Sequence, residues 1–403
     1  MNPFVDVHIH PAPEAYPIDV ARIETITVKC PVRGRGLVIR ELTPAGDPAL
    51  FAFFVALVAQ GGELALDSDA PLVEALARIG FLVEDDDVVA WPQLAIPLAA
   101  APGEAGAPDA RDASWIVAPT FRFQASFALH PGVAWPADYD EQDGRLRCFA
   151  PGPAFWVGDP ASVVAPFWVT AGDAALLAGL VPGAAPPPLP PSLAAALIQV
   201  GALVPAEGLA EHPLPLARFA SHRAAFAADG YAIARDLLPA GELAALRRYY
   251  AALVAGDLIQ LGDRQNALRY SAYNDPVGRF VQARLVGAMS AVAGQPVEPA
   301  FSFFFSYVAG ASLAPHKDRA QAEFSISLQI DHTPAPAPAA ATGWPLQFTF
   351  DDGLRTAADL RIGDAVLYHG RAVTHHRDTL PVGQRSSVLV LEYVPRDFRG
   401  LRI

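Results

Sequence analysis

The chain has very little lysine and cysteine. Its 403 residues include two cysteines, Cys30 and Cys148, and two lysines, Lys29 and Lys317. Two cysteines indicate neither a disulfide framework nor a thiolate zinc cluster, and they fit a reducing compartment, so we expect a cytoplasmic protein. The shortage of lysine beside abundant alanine, proline and arginine is typical of a GC-rich bacterial genome.

Long apolar runs and basic tracts are also missing. No segment is long and apolar enough to cross a membrane, and the first residues lack the basic start of a signal peptide. The formal net charge of -13 comes without a cluster of basic residues, which argues against a nucleic-acid partner. With 52% hydrophobic residues, the chain can bury more than one core, and we expect more than one domain.

The C-terminal half contains a pattern of metal-ligating residues. His316 and Asp318 are two positions apart, and His375 follows far downstream. Residues two apart on a strand share a face, so His316 and Asp318 can reach one ion while Lys317 points away. Two imidazoles and one carboxylate leave other positions around the metal open, which suits Fe(II) that must also bind a co-substrate and O2.

Strands are predicted around these residues. The segment 324–330 alternates apolar and polar residues, and 365–368 and 387–393 are short apolar runs that follow turn signals. A helix end, a strand and a turn over 226–239 precede them, followed by a helix over 241–255. Strand ends can therefore bring both ligand groups to one mouth of a barrel.

This part of the chain resembles the Fe(II)/2-oxoglutarate-dependent dioxygenases, and within them the prolyl-hydroxylase and phytanoyl-hydroxylase-like branches. Tyr307 begins a Tyr-x-x-Gly nine residues before His316, Arg385 lies ten residues after His375, and Ser387 completes an Arg-x-Ser. The resemblance is confined to the C-terminal half. It implies that Tyr307, Arg385 and Ser387 hold 2-oxoglutarate, with Arg385 pairing with its distal carboxylate.

The same resemblance implies the metal ligands and the reaction. His316, Asp318 and His375 would bind Fe(II), with 2-oxoglutarate and O2 as co-substrates. The 2-oxo acid would be oxidatively decarboxylated to succinate while an unactivated C–H bond is hydroxylated. Family halogenases lack the carboxylate that Asp318 supplies, so hydroxylation is expected. Leu313 stands where prolyl hydroxylases usually have a second tyrosine, which argues against prolyl specificity.

Two sets of residues keep alternative interpretations. His376 directly follows His375 and competes with it as the distal ligand, and His369 lies close by. Candidates for contact with the substrate are Arg319, Arg377, Tyr270 and Asn274. The two arginines can equally pair with nearby carboxylates, and the other two can belong to a loop that packs against the barrel.

A weak internal repeat occurs in the first half of the chain. Residues Leu72, Leu76, Gly80, Leu82 and Val83 recur 121 positions later as Leu193, Leu197, Gly201, Leu203 and Val204. Each set is typical of a helix, a glycine C-cap and a strand. Two helices and a short strand resemble a winged-helix unit or the small peptide-binding domains of enzymes that modify ribosomal peptides.

The predicted fold class is α+β. An N-terminal α/β accessory region of two winged-helix-like units would cover 1–98 and 114–210, and a double-stranded β-helix (jelly-roll) core with supporting helices would cover 216–403. Proline-rich segments at 99–108, 181–191 and 331–340 are predicted loops. The accessory region either recruits a peptide or protein substrate, in which case the enzyme acts on a side chain, or it only buttresses the barrel or forms a homodimer. A small natural product is the alternative substrate.

Two further functions remain open. The segment Asp6-Val-His8-Ile-His10 resembles the opening metal motif of amidohydrolases, which would make the chain a metal-dependent hydrolase that uses His8 and His10. Such an enzyme needs a (β/α) barrel with further ligands, yet between His10 and His212 there is only His130. A non-catalytic sensor of 2-oxoglutarate is the other alternative, and turnover would separate it from an enzyme.

Overall fold

The structure is a computed structural model that describes residues 6–11, 23–32, 36–59, 70–82, 90–98, 114–136, 139, 145–159, 163–207 and 219–400. Its helices are α1 (Pro48–Ala59), α2 (Ala70–Arg78), α3 (Ala171–Leu177), α4 (Pro191–Gln199), α5 (Arg223–Asp229), α6 (Ala240–Ala255), α7 (Pro276–Arg284) and α8 (Val286–Ala293). No helix in these ranges is both long and apolar enough to cross a membrane.

Strands in the first half of the chain form three small sheets. They are β1 (Asp6–Pro11), β2 (Ile23–Val32), β3 (Gly36–Leu42), β4 (Trp115–Val117), β5 (Arg122–Gln124), β6 (Ala154–Gly158), β7 (Val164–Trp168) and β8 (Leu203–Pro205). The sheet orders are β1-β2-β3, β4-β8 and β5-β6-β7, and all these strand pairs are antiparallel.

Strands in the second half form two larger antiparallel sheets. They are β9 (Tyr231–Ala234), β10 (Gln260–Leu261), β11 (Arg269–Tyr273), β12 (Val297–Val308), β13 (Leu313–His316), β14 (Phe324–Thr333), β15 (Leu346–Thr349), β16 (Arg355–Ala358), β17 (Ala365–Tyr368), β18 (Thr374–Arg377) and β19 (Arg385–Pro395). The large sheet has the order β10-β11-β12-β19-β14-β17-β9, and the small sheet has the order β13-β18-β15-β16. This mixed chain with antiparallel sheets agrees with the α+β prediction.

Several predicted elements of the second half are confirmed. The strands predicted at 324–330, 365–368 and 387–393 lie within or coincide with β14, β17 and β19, and the helix predicted from 241 to 255 is α6. The segment 226–239 contains the end of α5 and the strand β9, with Gly230 between them at φ 71°. Apolar patterns together with neighbouring turn signals predict these elements.

The strands of the large sheet have two different faces. Along β12, Phe303 and Phe305 point to one side and Phe304 to the other, because successive strand residues alternate. Phe304 joins a large core with helices α6 to α8, whereas Phe303 and Phe305 face the space between the two sheets. That space contains the candidate site.

One hydrophobic core joins the middle of the chain to the C-terminal half. It extends from Leu94 to Tyr393 and includes Phe280 of α7, whose ring stacks on Trp135 at 5.3 Å between centroids and contacts Phe149 at 4.7 Å. A separate core lies between the β1-β2-β3 sheet and helices α1 and α2. The domain limits 1–98, 114–210 and 216–403 remain predictions.

The predicted repeat corresponds to real helix ends. Gly80 follows α2 at φ 80° and Gly201 follows α4 at φ 75°, the left-handed conformation that glycine adopts at a C-cap. In the second copy Leu203 begins strand β8, whereas Val83 of the first copy lies outside the described residues. The predicted unit is two helices followed by a short strand, whereas the described strands β1 to β3 precede helices α1 and α2. The winged-helix assignment therefore remains a prediction.

The proline-rich segments differ in their outcome. Residues 99–108 lie outside the described ranges, whereas the predicted loop 181–191 contains no helix or strand up to residue 190, and Pro191 begins α4. Strand β14 continues to Thr333, so only the rest of 331–340 is a loop, and that part lies at the surface.

Candidate metal centre

Two neighbouring strands of the small sheet bring the predicted metal ligands together. His316 ends β13 and is paired in register with His375 of β18. A bulge between Leu313 and His316 shifts the register, and such an extra residue re-aims the side chains beyond it. Asp318 follows β13 by two residues and reaches the same point.

The three side chains are close enough to hold one ion. The Asp318 Oδ1 atom lies 3.5 Å from His316 Nε2 and 3.6 Å from His375 Nε2. One ligand atom from each residue lies within 4.8 Å of the other two. Among the described residues this is the one group of three or more histidines, cysteines and carboxylates with such spacing.

Backbone hydrogen bonds fix which nitrogen of each histidine is free. The Nδ1 atom of His316 lies 2.8 Å from the carbonyl oxygen of Ala314, and Nδ1 of His375 lies 3.1 Å from that of Val373. A carbonyl oxygen only accepts, so each Nδ1 carries the proton and each Nε2 keeps a lone pair. Both lone pairs are on the atoms that face Asp318, as metal ligation requires.

The position of Asp318 depends on a glycine. The Asp318 amide donates to the carbonyl oxygen of Gly370 at 2.9 Å. A Cβ atom on Gly370 would lie 2.3 Å from Asp318 Oδ2 and 2.6 Å from the carbonyl oxygen of Ala322. The carboxylate therefore occupies space that only glycine leaves free at position 370.

A buried proton chain supports the other side of Asp318. The Ser325 hydroxyl lies 3.3 Å from Asp318 Oδ2 and 2.6 Å from Glu392 Oε2. Burial, and then the charge of Asp318, raise the pKa of Glu392 well above its ordinary value. The Ser325 hydroxyl has one hydrogen and can donate to only one of these carboxylates at a time, and the raised pKa of Glu392 makes it, rather than Asp318, the carboxyl that takes up a proton first. The metal ligand thus remains the ionised carboxylate of the pair.

The pKa values of Asp318 and His375 favour metal binding, whereas that of His316 favours the protonated ring. Burial raises the pKa of Asp318, but its contacts with His316 and His375 outweigh this and lower it below the ordinary value. Burial lowers the pKa of His375 and keeps its imidazole neutral. For His316, burial also lowers the pKa, but Asp318 and the carbonyl oxygen of Ala314 accept hydrogen bonds from the protonated ring and raise it, and a bound metal would displace the proton on Nε2. An ionised carboxylate and a neutral imidazole are the forms that bind a metal.

The competing histidines lie elsewhere. His376 is paired in register with Gln347 and follows His375 by one residue, so its side chain leaves the strand on the opposite face. The Nε2 atom of His369 lies 3.1 Å from Glu323 Oε1. The structure therefore brings His375 to the centre, and neither His376 nor His369. Lys317 points to Asp351, with 3.0 Å between its ammonium nitrogen and the carboxylate.

A cavity of about 890 Å³ opens at the centre between the two sheets. His316, Asp318 and His375 line it. The large sheet contributes an aromatic wall of Phe301, Phe303 and Phe305. The N-terminal sheet also reaches this cavity through residues of β2 and β3, which are Thr27, Lys29, Ile39 and Glu41.

The structure does not bring Arg385 and Ser387 to this cavity. On β19 the residues that line it are Val388, Val390 and Glu392, and strand alternation puts Arg385 and Ser387 on the other face. The Ser387 hydroxyl donates to Ser306 Oγ at 2.9 Å on that face.

Two of the predicted substrate contacts also lie away from the cavity. Tyr270 is on the same outer face as Arg385, with its ring centroid 5.8 Å from the guanidinium carbon. Asn274 directly follows β11 and ties its end to β12: its backbone amide donates to Ser302 O at 2.8 Å, and its side-chain oxygen accepts from the Ser302 amide at 2.9 Å.

The buried cation beside the centre is Arg377. It lies two residues after His375 on β18, lines the cavity and is 4% exposed. Its Nη1 donates to the carbonyl oxygen of Trp344, and its Nη2 is buried without a hydrogen-bond partner among the described residues. Burial lowers the pKa of Arg377 from its ordinary value. A buried guanidinium nitrogen without a partner is costly, and an anion in the cavity would offset that cost.

Tyr307 and Arg319 are the other predicted residues that line the cavity. The Tyr307 hydroxyl accepts from Arg269 Nη1 at 3.5 Å, and its ring contacts Trp344 at 5.1 Å. The Arg319 guanidinium lies over the Phe301 ring at 4.1 Å.

Sequence reasoning did not identify Lys29, Arg269, Ser325 or Glu392. The sequence does carry a signal for Glu392, because it is a carboxylate within the otherwise apolar strand segment 387–393. Lys29 was conspicuous only as one of two lysines. Its position at the cavity depends on a contact between distant parts of the chain.

The donor set fits Fe(II). Two imidazole nitrogens and one carboxylate arranged around one point are the facial triad of non-haem iron oxygenases, and they leave the other side of the ion open to the cavity. An all-protein tetrahedral zinc site would need a fourth ligand, and none of the described histidines, cysteines or carboxylates supplies one.

The hydrolase motif lacks the scaffold that it requires. Residues 6–11 form strand β1, which pairs with β2 in a three-stranded antiparallel sheet. Amidohydrolase ligands follow successive strands of a parallel (β/α) barrel. The described parts of the chain form no such barrel.

Comparisons with known proteins give similar solved structures but no family. A scan against protein-family models and a search of curated proteins give no match. Similar solved structures include the α-ketoglutarate-dependent epimerase SnoN from nogalamycin biosynthesis, which is 18% identical, covers 45% of this chain and 80% of its own, and has a TM-score of 0.37. A prolyl-4-hydroxylase from Pseudomonas putida is also 18% identical. It covers 44% of this chain and 99% of its own, with a TM-score of 0.36.

A third similar structure contains bound ligands. HygX from Streptomyces hygroscopicus, with nickel, 2-oxoglutarate and hygromycin B bound, is 12% identical, covers 45% of this chain and 88% of its own, and has a TM-score of 0.36. In fold, about half of this chain is similar to these structures. The description of the metal centre rests on its own residues.

Proposed function

We propose that this protein is an Fe(II)- and 2-oxoglutarate-dependent oxygenase that hydroxylates an unactivated C–H bond. The observation that carries the proposal is the arrangement of His316, Asp318 and His375. Both Nε2 lone pairs and the ionised carboxylate converge in a cavity, and a buried guanidinium without an anionic partner lies beside them.

Three side chains would hold the iron, and Arg377 would hold the co-substrate. Bound iron would supply the activation of O2 that is coupled to decarboxylation of 2-oxoglutarate. Arg377 lies about 7 Å beyond His375 along the strand, since each residue advances about 3.3 Å. Its planar guanidinium suits the second carboxylate of 2-oxoglutarate, and Tyr307 lies beside it. We assign to Arg377 the role that the sequence motif suggested for Arg385.

The walls of the cavity suit an unreactive C–H bond. Phe301, Phe303 and Phe305 form an apolar surface that excludes water from the side of the cavity nearest them. Water exclusion protects reactive species from side reactions and orients an apolar part of a substrate. Asp318 supplies the carboxylate that family halogenases lack, and we therefore propose hydroxylation as the outcome.

The substrate would be a peptide or protein side chain, with a small natural product as the alternative. The N-terminal region contributes to the cavity wall through Thr27, Lys29, Ile39 and Glu41. A substrate that reaches the metal centre must therefore fit against this region. We propose that the first part of the chain selects the substrate.

Succinate formation tests the proposed reaction. Anaerobically iron-loaded protein is mixed with 2-oxoglutarate and exposed to O2, as wild type and as His316→Ala, with and without candidate peptides. We expect succinate from the wild type, at least a hundredfold less from the variant, and stimulation by a true substrate. Bound 2-oxoglutarate without any turnover would instead indicate a sensor. Purified protein that contains zinc and forms no succinate would contradict the proposal.

A further inference from the structure

The two faces of the N-terminal sheet have different surroundings. On β2, Ile26, Val28 and Cys30 point into the core formed with helices α1 and α2. Thr27 and Lys29 alternate with them and line the catalytic cavity. One face of this sheet therefore packs on its own core, and the opposite face forms a wall of the cavity.

Lys29 is a buried cation on this wall. It is 8% exposed, although a lysine ammonium ordinarily lies in water. Lys29 takes part in none of the ion pairs or hydrogen bonds that the described side chains form. A buried ammonium without an anion is costly, and binding of an anion from the cavity would offset that cost.

The other cations of the cavity already have partners or roles. Arg264 pairs with Glu41 at 2.9 Å, and Arg269 pairs with Asp263 at 2.6 Å. Lys317 pairs with Asp351. Arg319 lies over an aromatic ring, and Arg377 is assigned to 2-oxoglutarate. Lys29 is thus the cavity cation that remains for a second anionic molecule.

We propose that Lys29 binds a carboxylate of the substrate, so that the enzyme acts on carboxylate-bearing molecules or side chains. The inference rests on the proposed oxygenase function, because it assumes that 2-oxoglutarate occupies Arg377. One ammonium balances the single charge of a carboxylate. A phosphate dianion would keep one negative charge that Lys29 does not balance, and this charge would lie near Glu41.

The test uses paired probes that differ in one charge. The full chain is loaded with Ni2+ and 2-oxoglutarate, which completes the site without turnover. Calorimetry measures the binding of two sets of probes. One set compares N-acetyl amino acids with their primary amides. The other compares side-chain acids with side-chain amides, such as N-acetylglutamate amide and its glutamine counterpart. We expect at least one acid to bind about tenfold more tightly than its amide, as a charge-assisted hydrogen bond implies.

Two variants test whether Lys29 causes that preference. Lys29→Met keeps the apolar stem and should reduce the preference to less than about threefold. Arg40→Met removes one positive charge from an exposed position of β3 outside the cavity and should leave the preference unchanged.

The outcomes separate this inference from the proposed function. A wild type in which no acid is preferred over its amide overturns the inference, and so does a preference that survives in Lys29→Met or disappears in Arg40→Met. Weaker 2-oxoglutarate binding in Lys29→Met, with the acid preference intact, would reassign Lys29 to the co-substrate and also overturn it. If Ni2+ or 2-oxoglutarate does not bind, the proposed oxygenase function is contradicted. Titration of the same acids and amides without Ni2+ and 2-oxoglutarate then still tests the role of Lys29.

Discussion

At the scale of single residues, a short-range backbone contact prepares both histidines for metal binding. In each case Nδ1 donates to the carbonyl oxygen two residues earlier, Ala314 for His316 and Val373 for His375. The contact is local, so each strand orients its own imidazole. Only the register between β13 and β18 is needed to bring the two together.

Gly370→Ala should remove the metal site without changing a ligand. The added Cβ would lie 2.3 Å from Asp318 Oδ2, so the carboxylate must move. We expect the affinity for Fe(II) or Mn2+ to fall by about 10- to 100-fold, as for other changes that misplace a ligand. Isothermal titration under anaerobic conditions measures it.

Gly172→Ala is the matched control for that variant. Gly172 lies in helix α3, and the nearest atom to an added Cβ is the Thr170 hydroxyl oxygen at 3.8 Å. This variant should bind metal like the wild type. Equal affinities for all three proteins would show that Asp318 is not held against Gly370.

Arg377→Met should weaken 2-oxoglutarate binding, while Arg385→Met should not. Arg377 lines the cavity beside His375, and Arg385 lies on the outer face of the sheet. Loss of a charge-assisted bidentate pair predicts an increase of about tenfold or more in the Kd of 2-oxoglutarate. Calorimetry on the metal-loaded variants measures it. A larger effect from Arg385→Met would restore the assignment that the motif suggested.

The difference between these two arginines shows what the sequence can and cannot predict. Spacing identified His316, Asp318 and His375, which the structure brings together, and it also selected Arg385. Whether a strand residue faces the cavity depends on register, and one residue decides the face. Val388 and Val390 take the inner positions of β19, so Arg385 cannot reach the cavity.

At the scale of helices and strands, local patterns located the elements but not their partners. Apolar patterns and turn signals predict strands β14, β17 and β19 and helix α6. The order of strands in the two sheets, and the position of β2 at the cavity, follow from contacts between distant residues. Such contacts leave no periodic signal in a single sequence.

The N-cap of helix α7 should make stability depend on pH. Asp275 accepts from the backbone amides of Val277 and Gly278 and from the hydroxyls of Tyr249 and Tyr250. Burial raises the pKa of Asp275 to about 6, although these hydrogen bonds act in the opposite direction. The folded protein therefore binds this proton more tightly than the unfolded chain does. The stability from this group is present below pH 3.8 and is lost as the pH rises through about 6.

Asp275→Asn should remove that pH dependence. Asparagine keeps the N-cap oxygen but does not ionise. Relative to wild type, the variant should gain about 2 to 3 kcal/mol in the free energy of unfolding between pH 4 and pH 7, since one pKa unit corresponds to about 1.4 kcal/mol. Urea unfolding at several pH values measures the difference. A difference that stays constant over this range would show that Asp275 is not buried as a charge.

At the scale of the whole molecule, the middle of the chain and the C-terminal half share one core. Trp135 and Phe149 pack on Phe280, and the Trp91 indole donates to the Tyr249 hydroxyl at 2.9 Å. A chain that starts at residue 216 would expose this surface. We expect it to aggregate or unfold, as judged by circular dichroism and light scattering, because burial of one large aromatic side chain contributes about 2 to 3 kcal/mol.

A shorter truncation provides the comparison. A chain that starts at residue 90 keeps Trp91 and the shared core but loses the N-terminal sheet and its separate core. It should remain folded and bind metal and 2-oxoglutarate, while the side of the cavity formed by Lys29 opens to solvent. A folded and stable chain from residue 216 would contradict the shared core and support the predicted domain limit.

Metal binding by two adjacent histidine variants tests the central claim most directly. His375 faces Asp318, and His376 leaves the same strand on the other face. Anaerobic titration with Fe(II) should give one ion per chain in the wild type and in His376→Ala, and no measurable binding in His375→Ala. Equal binding by both variants, or loss of binding only in His376→Ala, would contradict the proposed iron centre.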